Sequence, residues 1–340
     1  MTLPGFTRSP ALLLVLLAAL TQSACSQSER RFGDRQASSD GYADESADAC
    51  ADQHRKVTRM MERFGDRASG PAPDRKDIAY GSHARQKLDV FLPSKTAGSA
   101  LAPVIVMVHG GGWCVGDKTL KSVTTNKVKH WVPRGFMLVS VNYPMLTDGR
   151  NAAGQAEEVA RAIAYVQQNA RSWGGDERRI VLMGHSAGAH LVSLVNADAQ
   201  LRARAGVKPV LGTISIDSGA TNTVVQMQGL KAPKIKERYV EAFGSTEEGW
   251  KQVSPWHQLD KTASPWLGIC SSKRADDPCS QARAYADKSL SLGVRAVVLP
   301  FNKSHGALNG ELGEQGSYTA GVDEFIGTLE PSLRNLLAGR

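Results

Sequence analysis

Two short motifs supply the groups that acyl transfer requires. The run Gly184–Gly188 (Gly-His-Ser-Ala-Gly) places Ser186 between small residues, which allow a sharp strand-to-helix turn that exposes the serine hydroxyl. The earlier run His109–Trp113 (His-Gly-Gly-Gly-Trp) contains glycines that let backbone N–H groups approach a reacting atom closely. A carbonyl attacked by serine becomes an oxyanion, and such N–H groups stabilise it. The motifs therefore predict a nucleophile and an oxyanion-binding loop.

The residues around each motif favour this interpretation. Arg179–Met183 is a short apolar run typical of a buried strand, and Ala187–Asn196 is an Ala- and Leu-rich segment typical of a helix. Strand, tight turn and helix is the context that an exposed nucleophile needs. The glycine loop follows Pro103–Val108, an apolar run typical of a central parallel strand. Open α/β sheets place their sites at the carboxyl ends of such strands.

A histidine must accept the serine proton, and the chain contains eight histidines. His305 follows the predicted strand Arg295–Pro300, and a loop leaving the last strand is where this architecture places its general base. His190 lies one helical turn beyond the serine and is predicted to point away from it. His257 lies in a Trp-containing segment. His305 is therefore the predicted base, and the alternative is an exposed loop histidine.

The acidic partner of the base is expected between the serine and the histidine, at a strand end. Asp276 and Asp277 follow the predicted strand Ser264–Cys270, but two adjacent carboxylates cannot both face one imidazole. We prefer Asp276 because it is nearer the strand end. Asp217, which ends the predicted strand Val210–Ile216 one strand earlier, is the third candidate.

Four stretches carry a resemblance to the α/β-hydrolase superfamily: HGGGWCVGDK (109–118), Val141–Tyr143, GHSAGAH (184–190) and Ser304–Gly306. More narrowly, the chain resembles the esterase branch that includes hormone-sensitive-lipase-like esterases, bacterial enzymes akin to feruloyl esterases, and kynurenine formamidases. The resemblance covers roughly residues 76–332.

The resemblance implies an eight-stranded, mostly parallel sheet with helices on both faces. It also implies Ser186 as nucleophile, His305 as base, and the N–H groups of Gly111, Gly112 and Ala187 as oxyanion donors. The chain departs from the family pattern at 270–279, where a longer loop replaces the usual short turn to the acid.

Alternating strand and helix patterns independently predict an α/β fold with a parallel sheet. Ile78–Gly81 and Lys87–Leu92 are predicted to form a leading antiparallel pair. The catalytic domain is expected over residues 76–340. Within it, residues 218–264 interrupt the alternation and are expected to form a partial cap, whose aromatic side chains either line a pocket or pack the insert onto the body.

Composition limits the classes of partner. The chain has 340 residues, 41% of them hydrophobic, and a formal charge of +8, which are values of a globular protein. The basic residues are not interleaved with aromatic side chains as in a nucleic-acid groove, so no nucleic-acid partner is predicted. No His/Cys/Asp cluster has the spacing of metal ligands, and no cofactor is predicted. The expected partner is a small-molecule ester, and the oligomeric state is not predicted.

The N-terminus predicts export. Residues 1–24 contain the apolar run Ala11–Leu20, which is too short to span a bilayer but suits a signal peptide. Cleavage before Cys25 would give a lipid-anchored protein, and ordinary cleavage would give a free periplasmic or secreted one. Residues 25–75 are polar and are predicted to form a largely disordered tether, with a short helix over Ala51–Phe64.

Export also bears on the five cysteines, because disulfides persist in an oxidising compartment. Cys270 and Cys279 flank the loop that carries Asp276, and we predict a disulfide between them. Cys114, beside the oxyanion glycines, is expected to be free, the alternative being a pair with Cys50.

These observations predict a serine hydrolase of carboxylic esters. The first alternative is an amide or formamide hydrolase, since the catalytic groups are the same for both reactions. The second is a non-catalytic binding protein on a hydrolase scaffold, although such proteins generally lose the nucleophile or the base, and both residues are present here.

Overall fold

An eight-stranded sheet organises the described part of the chain, in the order β1-β2-β4-β3-β5-β6-β7-β8. The computed structural model describes Cys50, Arg55, Arg59, Arg63 and residues 69–93, 101–231 and 233–339. The strands are β1 (Arg75–Ala79), β2 (Lys87–Phe91), β3 (Ala102–Val108), β4 (Met137–Val141), β5 (Gly175–His185), β6 (Gly212–Ile216), β7 (Trp266–Ser271) and β8 (Ala296–Phe301).

The directions of the strands match the prediction. β2 pairs antiparallel with both β1 and β4, and all other neighbours are parallel. The leading antiparallel pair and the mostly parallel eight-stranded sheet are thus confirmed. Because β3, β5 and β6 are parallel neighbours, their carboxyl ends meet at one edge of the sheet.

Helices cover both faces of the sheet. They are α1 (Lys121–Trp131), α2 (Ala152–Asn169), α3 (Ala187–Ala197), α4 (Ala199–Ala205), α5 (Thr223–Gly229), α6 (Pro233–Phe243), α7 (Glu247–Gln252), α8 (Pro255–Gln258), α9 (Pro278–Ser291), α10 (His305–Gly310), α11 (Ser317–Leu329) and α12 (Pro331–Leu337). None of the helices in the described residues is both long and apolar enough to cross a membrane.

The side chains of β3 explain why both faces need cover. All seven residues of this strand are buried, and successive side chains of a strand point to opposite faces. Val104 and Val106 join an apolar cluster with residues of α2 and α3. Ile105 and Met107 join a second cluster with residues of α1 and α11. A strand that is apolar on both faces is thereby removed from water.

The insert between β6 and β7 folds as the four helices α5–α8. Both roles expected for its aromatic residues occur. Tyr239 lines the cavity described below. Phe243 is buried, with its ring centroid 4.7 Å from that of Trp113, and packs the insert onto the body.

The described residues contain two disulfides, one closing a short loop and one joining residues far apart in sequence. Cys270 and Cys279 are bonded, with Cα atoms 5.1 Å apart, which confirms the predicted pair. The expectation that Cys114 is free is wrong, because it is bonded to Cys50 across 64 residues. Both of these cysteines are buried, and no local sequence pattern indicates that they meet.

Most of the N-terminal predictions fall outside the described residues. The signal peptide and Cys25 do so entirely. Of the helix expected over residues 51–64, Arg55, Arg59 and Arg63 are described, and each is helical. The disulfide at Cys50 attaches this segment to the loop that follows the oxyanion glycines.

A buried ion pair anchors that loop to the edge of the sheet. Lys118 Nζ lies 2.7 Å from Asp89 Oδ2 on β2 and 2.8 Å from Asp77 Oδ1 on β1. Lys118 and Asp89 are almost fully buried, whereas Asp77 is half exposed. Removing one partner of a buried pair leaves an uncompensated charge, which is costly.

We expect Lys118→Met to lower the free energy of unfolding by about 3–5 kcal/mol, because the carboxylate of Asp89 stays buried without its cation. Urea unfolding followed by circular dichroism measures this. The control is Lys251→Gln, which breaks the exposed pair with Glu247 and should cause no measurable change. Equal losses of unfolding free energy in the two variants would contradict the assignment of Lys118 and Asp89 as a buried ion pair that stabilises the fold.

Candidate active site

Ser186 occupies a strained turn between β5 and α3. Its φ of 57° and ψ of −119° are rare for a residue with a side chain. The Ser186 N–H donates to the carbonyl oxygen of Ile216 at 2.9 Å, which fastens the turn to the end of β6. The arrangement is the predicted strand, turn and helix with the serine at its apex.

The glycines of this motif are required by contact with other backbone atoms. A β-carbon on Gly184 would lie 2.5 Å from the carbonyl carbon of Gly188. A β-carbon on Gly188 would lie 2.5 Å from the carbonyl oxygen of His109. Any side chain at either position would therefore force the turn away from the strand and from the glycine loop.

The glycine loop passes beside the serine turn. Gly111 has φ of 131° and Gly112 has φ of 63°, so both adopt backbone conformations that favour glycine. The carbonyl oxygen of Gly111 accepts hydrogen bonds from the N–H groups of Cys114 and Val115. Gly111, Gly112 and Ala187 line the same cavity as Ser186, as the sequence predicted.

His109 supports the loop from beneath. Its ring is stacked on that of Tyr143, with centroids 4.7 Å apart, and the Tyr143 hydroxyl donates to the His109 carbonyl oxygen at 2.9 Å. Arg85 donates to the carbonyl oxygens of Tyr143 and Gly116. Burial and the nearby Arg85 charge lower the pKa of His109 to about 4, so this imidazole is neutral at pH 7.

His190 links the loop to the cap. The Trp113 indole N–H donates to His190 Nδ1 at 3.2 Å, and His190 Nε2–H donates to the Val253 carbonyl oxygen at 2.7 Å. Burial lowers the pKa of His190 to about 4. The neutral ring is required here, because only an unprotonated Nδ1 can accept the indole hydrogen.

His305 begins α10, directly after β8, as predicted. Its Nδ1 lies 2.6 Å from Asp217 Oδ2, and Ser271 N–H donates to the other carboxylate oxygen at 2.8 Å. Burial raises the pKa of Asp217, but these hydrogen bonds and the Arg274 charge outweigh it and hold the pKa below its usual value. The carboxylate facing the imidazole is therefore ionised.

The expectation that Asp276 faces His305 is wrong. Asp276 is partly exposed and accepts a hydrogen bond from Arg274 Nε at 2.9 Å. Asp277 caps α9 by accepting from the Ser280 N–H. The disulfide-closed loop after β7 turns both carboxylates away and points Arg274 inward, so Asp217, the third candidate, takes the position.

Arg274 was not singled out from the sequence. Its Nη1 lies 3.0 Å from Asp217 Oδ2, 3.0 Å from the Asp217 carbonyl oxygen and 3.1 Å from His305 Nδ1. The same guanidinium donates to Asp276, so Arg274 bridges Asp276 and Asp217. Nothing in the local sequence distinguishes it from neighbouring Lys273.

A second histidine lies against His305. His185 Nε2–H donates to the His305 carbonyl oxygen at 3.0 Å, and the two ring centroids are 4.5 Å apart. Burial, and to a smaller extent the nearby positive charges, lower the pKa of His185 to about 3, so its ring is neutral at pH 7. The hydrogen bond from this neutral ring positions His305 at the start of α10.

These residues surround one cavity of about 370 Å³. Ser186 and His305 both line it, and so do Asp217, Arg274 and the three expected oxyanion donors. The wall is completed by Trp113, His185, Ser218, Gly219, Ala220, Arg238 and Tyr239. Arg238 and Tyr239 come from α6 of the insert, and the sequence had marked only Tyr239, as one aromatic among several.

A family model described as BD-FAE matches residues 88–288, more than half of the chain. Among curated proteins, the chain is similar to the isoprenylcysteine alpha-carbonyl methylesterase ICME of Arabidopsis thaliana, at 27% identity over 68% of this chain and 56% of the relative. It is also similar to the esterase LipQ of Mycobacterium tuberculosis, at 28% identity over 67% of this chain and 56% of the relative. The chain thus spans little more than half the length of these relatives.

Solved structures match the fold. Esterase B from Lactobacillus Rhamnosis aligns with a TM-score of 0.65 at 17% identity, covering 86% of this chain and 96% of the other. An esterase of Thermogutta terrifontis aligns with a TM-score of 0.60 at 22% identity, covering 76% and 93%. At these identities the likeness establishes the fold alone, which is the α/β-hydrolase fold expected from the sequence.

We expect Gly188→Ala to lower the free energy of unfolding by about 1–3 kcal/mol, because the added methyl overlaps the His109 carbonyl oxygen. The melting temperature should fall accordingly. The control is Gly229→Ala on α5, where no atom lies within 4 Å of the added methyl and alanine favours the helix. Thermal unfolding by circular dichroism compares them. Two unchanged melting temperatures would contradict the close approach.

We expect stability to fall as the pH drops from about 6.5 toward 4. The pKa values of His109, His185 and His190 are lowered to about 4, 3 and 4, so below pH 6.5 the unfolded chain binds protons that the folded chain does not. Each histidine contributes up to about 1.4 kcal/mol per pH unit. Urea unfolding at several pH values gives the free energy of unfolding as a function of pH. Between pH 6.5 and 4 this free energy should fall less steeply with decreasing pH in His190→Gln than in wild type, and an identical pH dependence would contradict the prediction.

Proposed function

The chain belongs to the BD-FAE family, and from that premise and the geometry of the cavity we propose that it is a serine hydrolase of carboxylic esters. The observation that carries the proposal is a strained serine turn that shares a cavity with a histidine bonded to a buried carboxylate. The names of the curated relatives, which are esterases, favour esters over amides.

In the proposed mechanism, Ser186 Oγ attacks the ester carbonyl carbon while His305 Nε2 takes its proton. Asp217 accepts the Nδ1–H of His305, which holds the ring in the correct tautomer and stabilises its cation. The C–O bond to the alcohol breaks, and His305 returns the proton to the leaving oxygen. Water then attacks the acyl-enzyme with His305 as base, which frees the acid and restores the serine.

The oxyanion formed in each step is assigned to the N–H groups of Gly111, Gly112 and Ala187. Ala187 is the first residue of α3, so its N–H has no partner within the helix and can point at a ligand. Loss of one such donor costs about 3 kcal/mol of transition-state stabilisation in enzymes where it has been measured. No metal or organic cofactor enters these steps.

Export is part of the same proposal. Two disulfides among the described cysteines are typical of a protein made for an oxidising compartment. Attachment through a lipidated Cys25 and ordinary cleavage of residues 1–24 remain the two alternatives. Metabolic labelling with palmitate in the native host, compared with Cys25→Ser, distinguishes them.

We expect Ser186→Ala to abolish hydrolysis of p-nitrophenyl butyrate and labelling by a fluorophosphonate probe, with an unchanged circular dichroism spectrum. Labelling that survives would identify another nucleophile. Parallel assays on a formamide and an anilide test the amide alternative. Wild-type protein that neither hydrolyses these substrates nor is labelled would support the non-catalytic alternative.

The acid assignment is tested by a matched pair of substitutions. Asp217→Asn should lower kcat by about 10⁴-fold, because the amide favours the wrong imidazole tautomer. Asp276→Asn should lower it far less, since Asp276 reaches His305 only through Arg274. The reverse order would return the role to Asp276.

A further inference from the structure

Arg274 reaches both members of the proposed His–Asp pair. Its Nη1 lies 3.0 Å from Asp217 Oδ2, 3.0 Å from the Asp217 carbonyl oxygen and 3.1 Å from His305 Nδ1. The Asp217 side chain is fully buried, and the Arg274 side chain is mostly buried. A permanent cation therefore borders the ring that must itself become a cation in the proposed mechanism.

The hydrogens of Arg274 Nη1 are taken by Asp217. This nitrogen carries two hydrogens, and Asp217 offers it two acceptors, the carboxylate Oδ2 and the carbonyl oxygen. If Nη1 donated to His305 Nδ1 instead, the hydrogen of the neutral ring would lie on Nε2, which could then not accept the serine proton. The 3.1 Å approach therefore brings positive charge to the ring without a hydrogen bond to it.

Asp276 fixes the other side of the guanidinium. Arg274 Nε and Nη2 donate to the two carboxylate oxygens of Asp276 at 2.9 and 2.5 Å, which is the paired geometry that arginine forms with a carboxylate. This contact sets the plane of the guanidinium so that Nη1 faces Asp217. The negative charge of Asp276 also offsets part of the Arg274 charge.

Other charged and titratable groups face His305 from the elements packed around it. They are Asp217 after β6, His185 on β5, Lys127 on α1, Tyr318 on α11, Lys303 and Glu311 at the two ends of α10, and Arg238 and Tyr239 on the cavity wall. His185 is neutral at pH 7, and Lys127, whose pKa burial lowers to about 7, donates to Asn309 near the far end of α10. All of these groups stay in place in the variants below, so differences between variants do not arise from them.

We propose that Arg274 is a positioning residue of the hydrolase, which holds the Asp217 carboxylate against His305 and extends the action of His305 as a base to lower pH, while Asp276 moderates this effect. The physical reason is that a cation beside an imidazole disfavours the protonated ring, so the neutral base persists in more acidic solution. The inference rests on the proposed ester hydrolysis and adds to it a residue that sets its pH range.

The competing role for Arg274 is purely structural, such as closing the loop after β7. That role would lower stability or kcat without changing the pH dependence of the reaction. The discriminating quantity is the acid midpoint, which is the pH on the acid side at which kcat/KM is half its plateau value. With p-nitrophenyl butyrate, which has no ionisable group, this midpoint reports on the free enzyme.

In Arg274→Gln we expect the acid midpoint to rise by about 1 pH unit, because the cation beside the ring is lost. Arg274→Lys should stay closer to wild type, because it keeps the charge without the fork. Asp276→Asn should move the midpoint in the opposite direction, downward by about half a pH unit, because the Arg274 charge is then less offset.

Lys273→Gln is the matched control, since it removes an exposed positive charge from the adjacent position of the same loop, and its midpoint should stay within about 0.2 pH unit of wild type. Circular dichroism checks the fold of each variant. Asp276 is partly exposed, so Asp276→Asn decides the question by the sign of its shift if Arg274→Gln does not fold.

An unchanged or lowered midpoint in folded Arg274→Gln, an unchanged or raised midpoint in Asp276→Asn, or a shift in Lys273→Gln equal to that in Arg274→Gln would each overturn the inference. Hydrolysis by wild type above the Ser186→Ala blank leaves the proposed function standing in all three cases. Wild type that does not exceed this blank at any pH would overturn the proposed function and the inference with it.

Discussion

The close approach of two backbone turns is the constraint on which this site depends. A β-carbon on Gly110 would lie 2.6 Å from the His185 carbonyl oxygen and 2.8 Å from Ser186 Cβ, and one on Gly188 would meet the His109 carbonyl oxygen at 2.5 Å. The absence of side chains at Gly110 and Gly188 is what allows the serine turn and the glycine loop to lie this close together. The strain at Ser186 persists because β5 and α3 determine the directions of the chain on both sides.

The histidines near this close approach differ in burial, and their roles differ accordingly. His109, His185 and His190 have lowered pKa values, remain neutral, and act as hydrogen-bonding supports under the loop and beside α10. His305 differs because it borders the cavity and its Nδ1 faces the carboxylate of Asp217. Closeness to Ser186 is therefore not enough to make a histidine the candidate base, because His185 directly precedes Ser186 in the sequence and yet is buried and neutral.

The segments added around the sheet complete the cavity wall. The cap contributes Arg238 and Tyr239, and its Phe243 packs against Trp113 of the glycine loop. The Cys50–Cys114 disulfide attaches the N-terminal segment one residue beyond that tryptophan. Part of the cavity wall thus comes from the insert rather than from the sheet edge.

The sequence alone predicted the core strands and their mostly parallel arrangement, the serine turn, the glycine loop and the place of His305 after the last strand. Each of these rests on local rules: apolar runs for strands, glycine where side chains collide, and chain order along a parallel sheet. Which carboxylate faces His305, the Cys50–Cys114 pair and the positions of Arg238 and Arg274 were decided only by the tertiary structure. Since β6, β7 and β8 are adjacent and parallel, chain order alone allows a carboxylate after either β6 or β7 to face His305. The Cys270–Cys279 loop turns Asp276 and Asp277 away from His305, which leaves Asp217 facing the imidazole, and no local pattern encodes the direction of that turn.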